Sequence, residues 1–405
     1  MGFGQGLSGL NAAAQNLDVI GNNVANSSTV GFKSAKASFA DVYASSRVGL
    51  GVKVSGIDQR FSTGTVSSSN SAYHMAIDGS NGFFRTVDGS GQIAYTRNGE
   101  FKLDNNNFVV NNQGYNLTGY PAGTNTIGQA PVSIQIPQGN IAPLATDTIT
   151  TQANLPANAA VVDDAVDFDA TDEATFSGMS PATVYDSLGN SHVVTQYFTK
   201  REQNGSGESV YEVNYVLNSV PPQTANANLS FDAAGRLVNN PPRVVLNFTN
   251  PGGVASPADD MEITVGYAGT SQYGGAFKQG STSNGYATGV FNSVAIGKDG
   301  SIMGSYSNGQ TQVIGTIALA SFVNAQGLTP IGNNAWSESP DSGPATLGQP
   351  GTNGMAGLVG QALEASNVDM STELVDMIVA QRTYQANAQT IKTQDQVLQT
   401  LLQIR

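Results

Sequence analysis

The chain has no cysteine among its 405 residues, which removes disulfide staples and thiolate metal sites. Charge is scarce as well, with only 12% of residues Asp, Glu, Lys or Arg. The two histidines, His74 and His192, stand far apart and outside any zinc or catalytic-triad spacing. No GxSxG elbow or phosphate-cradling glycine loop occurs, and the single Trp336 reads as a core residue. Long apolar runs are missing too: Leu374 to Val379 is short and carries Asp376, which excludes a membrane span. No basic residue precedes Lys33, so the charged start and continuous apolar core of a cleavable leader are absent. These absences predict a protein that is not an enzyme, needs no cofactor or metal and does not insert in a membrane. If exported, it leaves without a cleaved signal peptide.

The charge that is present is unevenly placed. Of a formal net charge of −13, most lies between Asp147 and Glu262, where 15 acidic residues face 4 basic ones. Nucleic acid and anionic membrane both need a basic surface, so neither is expected as a partner. The Asp163, Asp164, Asp167, Asp169, Asp172, Glu173 cluster supplies the hard oxygen donors a cation would need. Counted from Asp167, however, Asp172 stands where a calcium loop of the EF-hand type requires glycine, and a solvated acidic loop is the better reading.

What the sequence has in plenty is glycine, 47 residues, with many Asn, Ser and Thr, which points to turn-rich β structure. The ends differ from this. From Ser371 to Arg405 there is neither Pro nor Gly, and Met377, Tyr384, Ile391 and Leu398 recur every seven residues beside Leu374, Ala388 and Leu402. At the other end Phe3, Leu10, Leu17 and Val24 repeat the period, with Leu7, Ala14 and Gly21 between them. Such spacing predicts two amphipathic helices, each keeping a narrow face against another helix.

Between the ends the period changes to two. Short β-type runs from Met75 to Tyr120 are separated by Asp-Gly and Asn-Gly pairs, the chemistry of tight hairpins. Further runs at Gly289 to Ile296, Ser301 to Ser305 and Gln312 to Val323 are expected to complete that sheet. The acidic insertion holds its own runs at Ala182 to Tyr185, Ser191 to Thr199, Val210 to Leu217, Leu229 to Val238, Arg243 to Phe248 and Met261 to Gly266. The fold class expected is multidomain α+β: terminal α-helices forming a coiled-coil-like stalk, with two nested, mainly antiparallel β domains. The boundaries expected are 1–30 with 366–405 for an inner helical tube domain, 31–72 with 340–365 for a connecting loop and stalk, 73–145 with 281–339 for an inner β domain, and 146–280 for an outer acidic β domain.

Two local motifs carry more than periodicity. Leu17 and Asp18 lead into Asn22, Asn23, Val24, Ala25 and Asn26, then Thr29, Gly31, Phe32 and Lys33. Near the other end, Glu364 to Asp369 precede Leu374, Gln381, Arg382 and Tyr384. The pair resembles the matched terminal motifs of the bacterial flagellar axial family of rod and hook proteins. The stretch AIDGSNGFFRTVDGSGQIAYTRNGEFKLD is similar to a central segment of the same family. That resemblance implies a structural subunit, located in the hook and basal body of the flagellum. It further implies a tubular homopolymer built through Leu7, Leu10, Ala14, Leu17, Val24, Leu374, Met377, Tyr384, Ile391, Leu398 and Leu402. Partners implied at the polymer ends are rod and hook–filament junction proteins; during assembly they are a hook cap and the flagellar type III export apparatus. Phe39 and Tyr43 resemble the family's short export signal. The size of the 146–280 insertion favours the hook over a distal rod protein; a secreted adhesin or carbohydrate-binding β protein is the reading from a different class.

Overall fold

The computed structural model describes residues 3–42, 51–123, 129–217, 223–238, 244–253 and 255–403. It divides into two compact units: Met1–Gln138 with Asn292–Ser305 and Thr311–Arg405, and Gly139–Phe291 with Tyr306–Gln310. The first unit therefore draws on both chain ends.

In the first unit, helix α1 (Phe3–Ala25) and helix α2 (Met370–Gln403) pack against each other. Gly6 lies on Ile391, Gly9 on Asn387, and Asn23 reaches Glu373, so the helices run antiparallel. The Asp369 side chain caps α2, its Oδ1 accepting from the amides of Ser371 and Thr372 at 2.9 and 3.3 Å, which satisfies two of the donors every helix start leaves open. From about Gln396 onward α2 continues past the described start of α1.

Strand β1 (Ala35–Asp41) and strand β2 (Val52–Gln59) form an antiparallel pair that packs on α1. This segment reads as connecting loop from sequence, although Ala35, Ala37 and Phe39, and Val52 and Val54, stand two apart; the runs are short and rich in small residues. Its face is covered by a helix rich in small residues, so large side chains are not required to bury it.

The body of the first unit is one large sheet. Its main path runs Phe291–Ile296, Ser301–Tyr306, Thr311–Ile317, Asn116–Pro121, Phe83–Val87, Ile93–Thr96, Ala335–Ser337, Thr329–Gly332. Strands from before the insertion form a block flanked on both sides by strands from after it: Thr316 pairs with Tyr120, Leu319 with Phe84, and Trp336 with Tyr95. Trp336, buried as its apolar surface demands, meets Phe61 and Phe83 edge-on at 5.4 and 5.8 Å, and its indole N–H donates to Gln59 at 2.5 Å. The Gly- and Pro-rich passage near the C-terminus is also strand in part, Gly357–Gly360 pairing with Met75–Asp78 and Ala362–Glu364 with Val66–Ser68.

The second unit packs two four-stranded sheets over one core. Four expected runs appear as Gly178–Tyr185, Ser191–Arg201, Ser209–Leu217 and Met261–Gly266, and a fifth as Val244–Phe248. The strand expected at Leu229 to Val238 instead runs Gln223–Phe231, and Thr148–Asn154 and Lys278–Ser283 are strands that the apolar pattern does not mark. Their sequences, TITTQAN, QTANANLSF and KQGSTS, hold too few large apolar residues to show alternation. The core itself is aromatic and partly polar. Tyr215 and Tyr267 share a hydroxyl–hydroxyl hydrogen bond of 2.6 Å, and Tyr267 donates on to Gln196 at 2.9 Å, so the buried phenols are satisfied.

Candidate functional site at the junction of the chain ends

The polar residues of the two terminal motifs converge where α1 and α2 meet the β body. Asn23, 1% exposed, accepts from the Ala35 amide at 2.9 Å, and its side-chain amide donates to the Ala35 carbonyl at 2.8 Å and to Glu373 at 3.1 Å. Asn367 does the same from the other terminus: its Oδ1 accepts from the Ser34 amide at 2.8 Å and its Nδ2 donates to the Arg60 carbonyl at 2.7 Å. Each asparagine ties one helix to the hairpin beside it, using both the donor and the acceptor of its amide.

Beneath them lies a group of three charges. Lys33, Arg97 and Glu364 have fully buried side chains. The Lys33 ammonium meets Glu364 Oε1 at 2.5 Å and donates to the Ser62 carbonyl at 2.7 Å; Arg97 reaches Glu364 Oε2 at 3.4 Å. Glu364 Oε1 also accepts from the Gly64 amide at 2.9 Å. Arg97 further donates to the carbonyls of Gly79, at 2.8 Å, and Ser80, and lies over the Phe83 ring at 5.1 Å. Burial pulls Lys33 and Arg97 below their ordinary ranges, and the Glu364 carboxylate pulls each back up. Removing one member of such a buried set typically costs about 3–5 kcal/mol, because the remaining charge is left unpaired.

Gly31 completes the junction. Its amide donates to the Glu364 carbonyl at 2.8 Å, its φ is +68°, and a Cβ there would lie 2.6 Å from the backbone of Arg97 and Asn98. Phe32 is half-buried beside it. Asn26 bonds back to the Asn22 carbonyl at 3.0 Å and accepts from Thr29 at 3.2 Å, closing the end of α1. Asn22 and Ala25 face outward, as do Gln381 and Arg382 on α2, so the junction does not use their side chains.

The helix faces depart from the expected seam. On α1 the residues buried are Gly6, Ala12, Ala13, Val19, Ile20 and Asn23. Leu7 is exposed, and Leu10, Ala14, Leu17 and Val24 are only half-buried. On α2 the inward line is Glu373, Ala380 and Asn387, seven apart, with Met377 half-buried and Ile391 packed on Gly6. Gly6 and Gly9 let the backbones approach closely, so within one chain Asn387 and Ile391 sit directly on α1 and many of the large apolar residues of α2 turn away. Leu374 is exposed, together with Val375 at 60% and Ile378 at 51%; Tyr384 is 38% and Leu398 50% exposed. The side chain of Leu402 and the whole of Tyr43 lie outside the described residues.

A groove of about 800 Å³ opens between α1, the β1–β2 pair and α2, with Ala12, Val19, Phe39 and Val379 among its walls. Phe39 is thus on an open surface, 46% exposed. Elsewhere, the acidic loop binds its own backbone: Asp163, Asp169 and Asp172 accept from the amides of Ala165, Thr171 and Ala174 at 2.8, 2.8 and 3.0 Å. No cluster of three metal-ligating side chains occurs among the described residues. None of their helices is long and apolar enough to cross a membrane.

This arrangement defines a structural class, built on paired ends and inserted β units, and comparison with known proteins agrees. Models of four flagellar families match: the basal body rod protein at residues 5–33, the hook protein FlgE/F/G D1 domain at 76–155, the basal body protein FlaE D2 domain at 154–286 and the rod FlgEFG protein C-terminal region at 359–404. The flagellar hook protein FlgE of Escherichia coli K12 is 45% identical over 414 residues, covering 100% of both chains. That of Salmonella typhimurium is 46% identical over 411 residues with the same coverage, and that of Borreliella burgdorferi is 30% identical over 99% of this chain and 98% of its own. The crystal structure of Helicobacter pylori flagellar hook protein FlgE2 shares the fold with a TM-score of 0.55 at 14% identity, covering 74% of this chain and 100% of that one. The chain belongs to the flagellar hook protein family, structural components of the bacterial flagellum.

Proposed function

We propose that copies of this chain polymerise through the outward faces of α1 and α2 into a tube that carries torque while it bends. The observation that supports this most is the pair of apolar faces left open after α1 and α2 have packed together. Leu7 on α1 and Leu374, Val375 and Ile378 on α2 remain exposed on helices that are already partnered. Exposed apolar stripes on such helices would be a liability in an isolated molecule and suit a face covered by a second copy.

In this reading residues 1–30 and 366–405 form the helical assembly part, 31–72 and 340–365 the connecting part, 73–145 and 281–339 one β domain and 146–280 the other. Rod and hook–filament junction proteins would meet the polymer's ends. A hook cap and the flagellar type III export apparatus would handle the chain before it assembles, with Phe39 and Tyr43 as an export signal. The protein would be a scaffold without catalysis. Polymerisation of the concentrated chain, followed by light scattering, tests the reading: scattering should grow for the unaltered chain and stay flat for Leu374→Ser/Ile378→Ser. Equal growth for both would refute it.

A further inference from the structure

Lys33 and Glu364 are separated by 331 positions in sequence, yet their charged atoms are 2.5 Å apart with no exposed side-chain surface on either. Arg97, equally buried, approaches the other oxygen of the same carboxylate. Two cations thus share one anion, and Glu364 is their only carboxylate partner among the described residues. The same residue also closes the backbone: its carbonyl accepts from Gly31 and its Oε1 from Gly64.

We propose that Glu364 is a closing latch: the terminal helices lock to the β body only when the C-terminal segment of the same chain docks and brings this carboxylate between Lys33 and Arg97. Without it, packing the N-terminal motif onto the body would bury two like charges with no counter-ion, and desolvation alone makes that unfavourable. The repulsion between Lys33 and Arg97 adds to the cost and works in the same direction. The N-terminal segment therefore cannot settle early on the β strands that follow it. It stays unlocked until residues near 364 arrive, so the angle at which the helices leave the body is set in one step, by a chain that is already complete through its last β strand. An apolar trio at these positions would forgo the bonds to Ser62, Gly79, Ser80 and Gly64, but it would carry no charge to make closure conditional.

Hydrogen exchange on the full-length chain tests this. In refolding followed by pulse labelling, the Gly31 and Gly64 amides should gain protection together with the Ala365 amide, which itself donates to Thr65. The Arg60 amide, which donates to the Ser34 carbonyl and needs nothing from residue 364, protected well before Ala365 would overturn the latch. At equilibrium, Glu364→Gln should speed exchange at Gly31 and Gly64 by on the order of tenfold or more, with amides of the second unit unchanged. Wild-type protection at Gly31 and Gly64 in that variant would also overturn it. The variant Lys33→Met/Arg97→Met/Glu364→Met removes every charge and should recover protection at Gly31, whose acceptor is the backbone carbonyl of residue 364, while Gly64, deprived of its side-chain acceptor, stays fast. If it remains as open as Glu364→Gln, charge is not what holds the junction and the inference fails.

Discussion

At the residue scale the junction depends on atoms that admit little substitution. Gly31 combines a left-handed backbone with a contact that leaves no room for a methyl group. Gly31→Ala should lower stability by about 2 kcal/mol or more, read as a shifted denaturant midpoint at unchanged slope. Gly21, near the C-terminal end of α1 with open space beside it, gives the contrast. Gly21→Ala should be neutral or stabilising, by up to about 1 kcal/mol, in the same measurement. Not every glycine acts through φ. Gly99 follows Asn98 in a pair that reads as a hairpin turn, yet its φ is not positive; a Cβ there would run into the Met75 carbonyl at 1.6 Å. Asn23, Gly31 and Asn367 were legible in the motifs. Arg97 was not singled out, because nothing near it in sequence reveals that its partner lies 267 positions away. A fully charged side chain inside the strand-like run Ile93 to Leu103 is the signal that could have raised it.

At the element scale, heptad spacing marks both helices, and most of the leucines it singles out lie off the contact that α1 and α2 make within one chain. Leucines are conspicuous in a hydrophobic pattern, whereas Gly6, Gly9 and Asn387, which join α1 to α2 beside Ile391, are residues that a hydrophobicity count passes over. Close helix contact through small residues leaves the larger ones free for other partners. Gly9→Leu should therefore wedge the helices apart, since a Cβ there already meets the Asn387 amide at 2.9 Å. Helical content should fall and protease sensitivity rise within residues 1–25, while the second unit stays protected. Unaltered protection of α1 would contradict the assigned packing. The strands Thr148–Asn154 and Lys278–Ser283 were illegible for the complementary reason: polar strands take their place from neighbours, not from alternation.

At the scale of the whole molecule, buried phenols set the response to alkali. Tyr95 and Tyr211 are pushed up to about 12, and Tyr215 and Tyr267 further still, mainly because burial disfavours their charged form. An unfolded tyrosine ionises near 10, so between about pH 10 and 12 the folded chain holds protons that the unfolded one has released. Stability is fully retained below that window and falls as pH rises through it, by about 1.4 kcal/mol per unit for each such tyrosine. Tyrosinate absorbance should lag in the native protein and then appear cooperatively with loss of β-sheet circular dichroism; smooth ionisation from pH 10 with the sheet intact would count against a dry core around Tyr215 and Tyr267. The joining in one sheet of strands from either side of the insertion was foreseeable from run spacing and turn residues, since Thr311–Ile317 and Ala335–Ser337 carry the same apolar β pattern as their neighbours. The central claim, that α1 and α2 spend one face on each other and keep another for further copies, is tested most directly by electron microscopy of the concentrated full-length protein beside Val375→Asp/Ile378→Asp. Tubes from the first and dispersed, folded molecules from the second are predicted. Tubes of the same form from the doubly substituted chain would contradict the account.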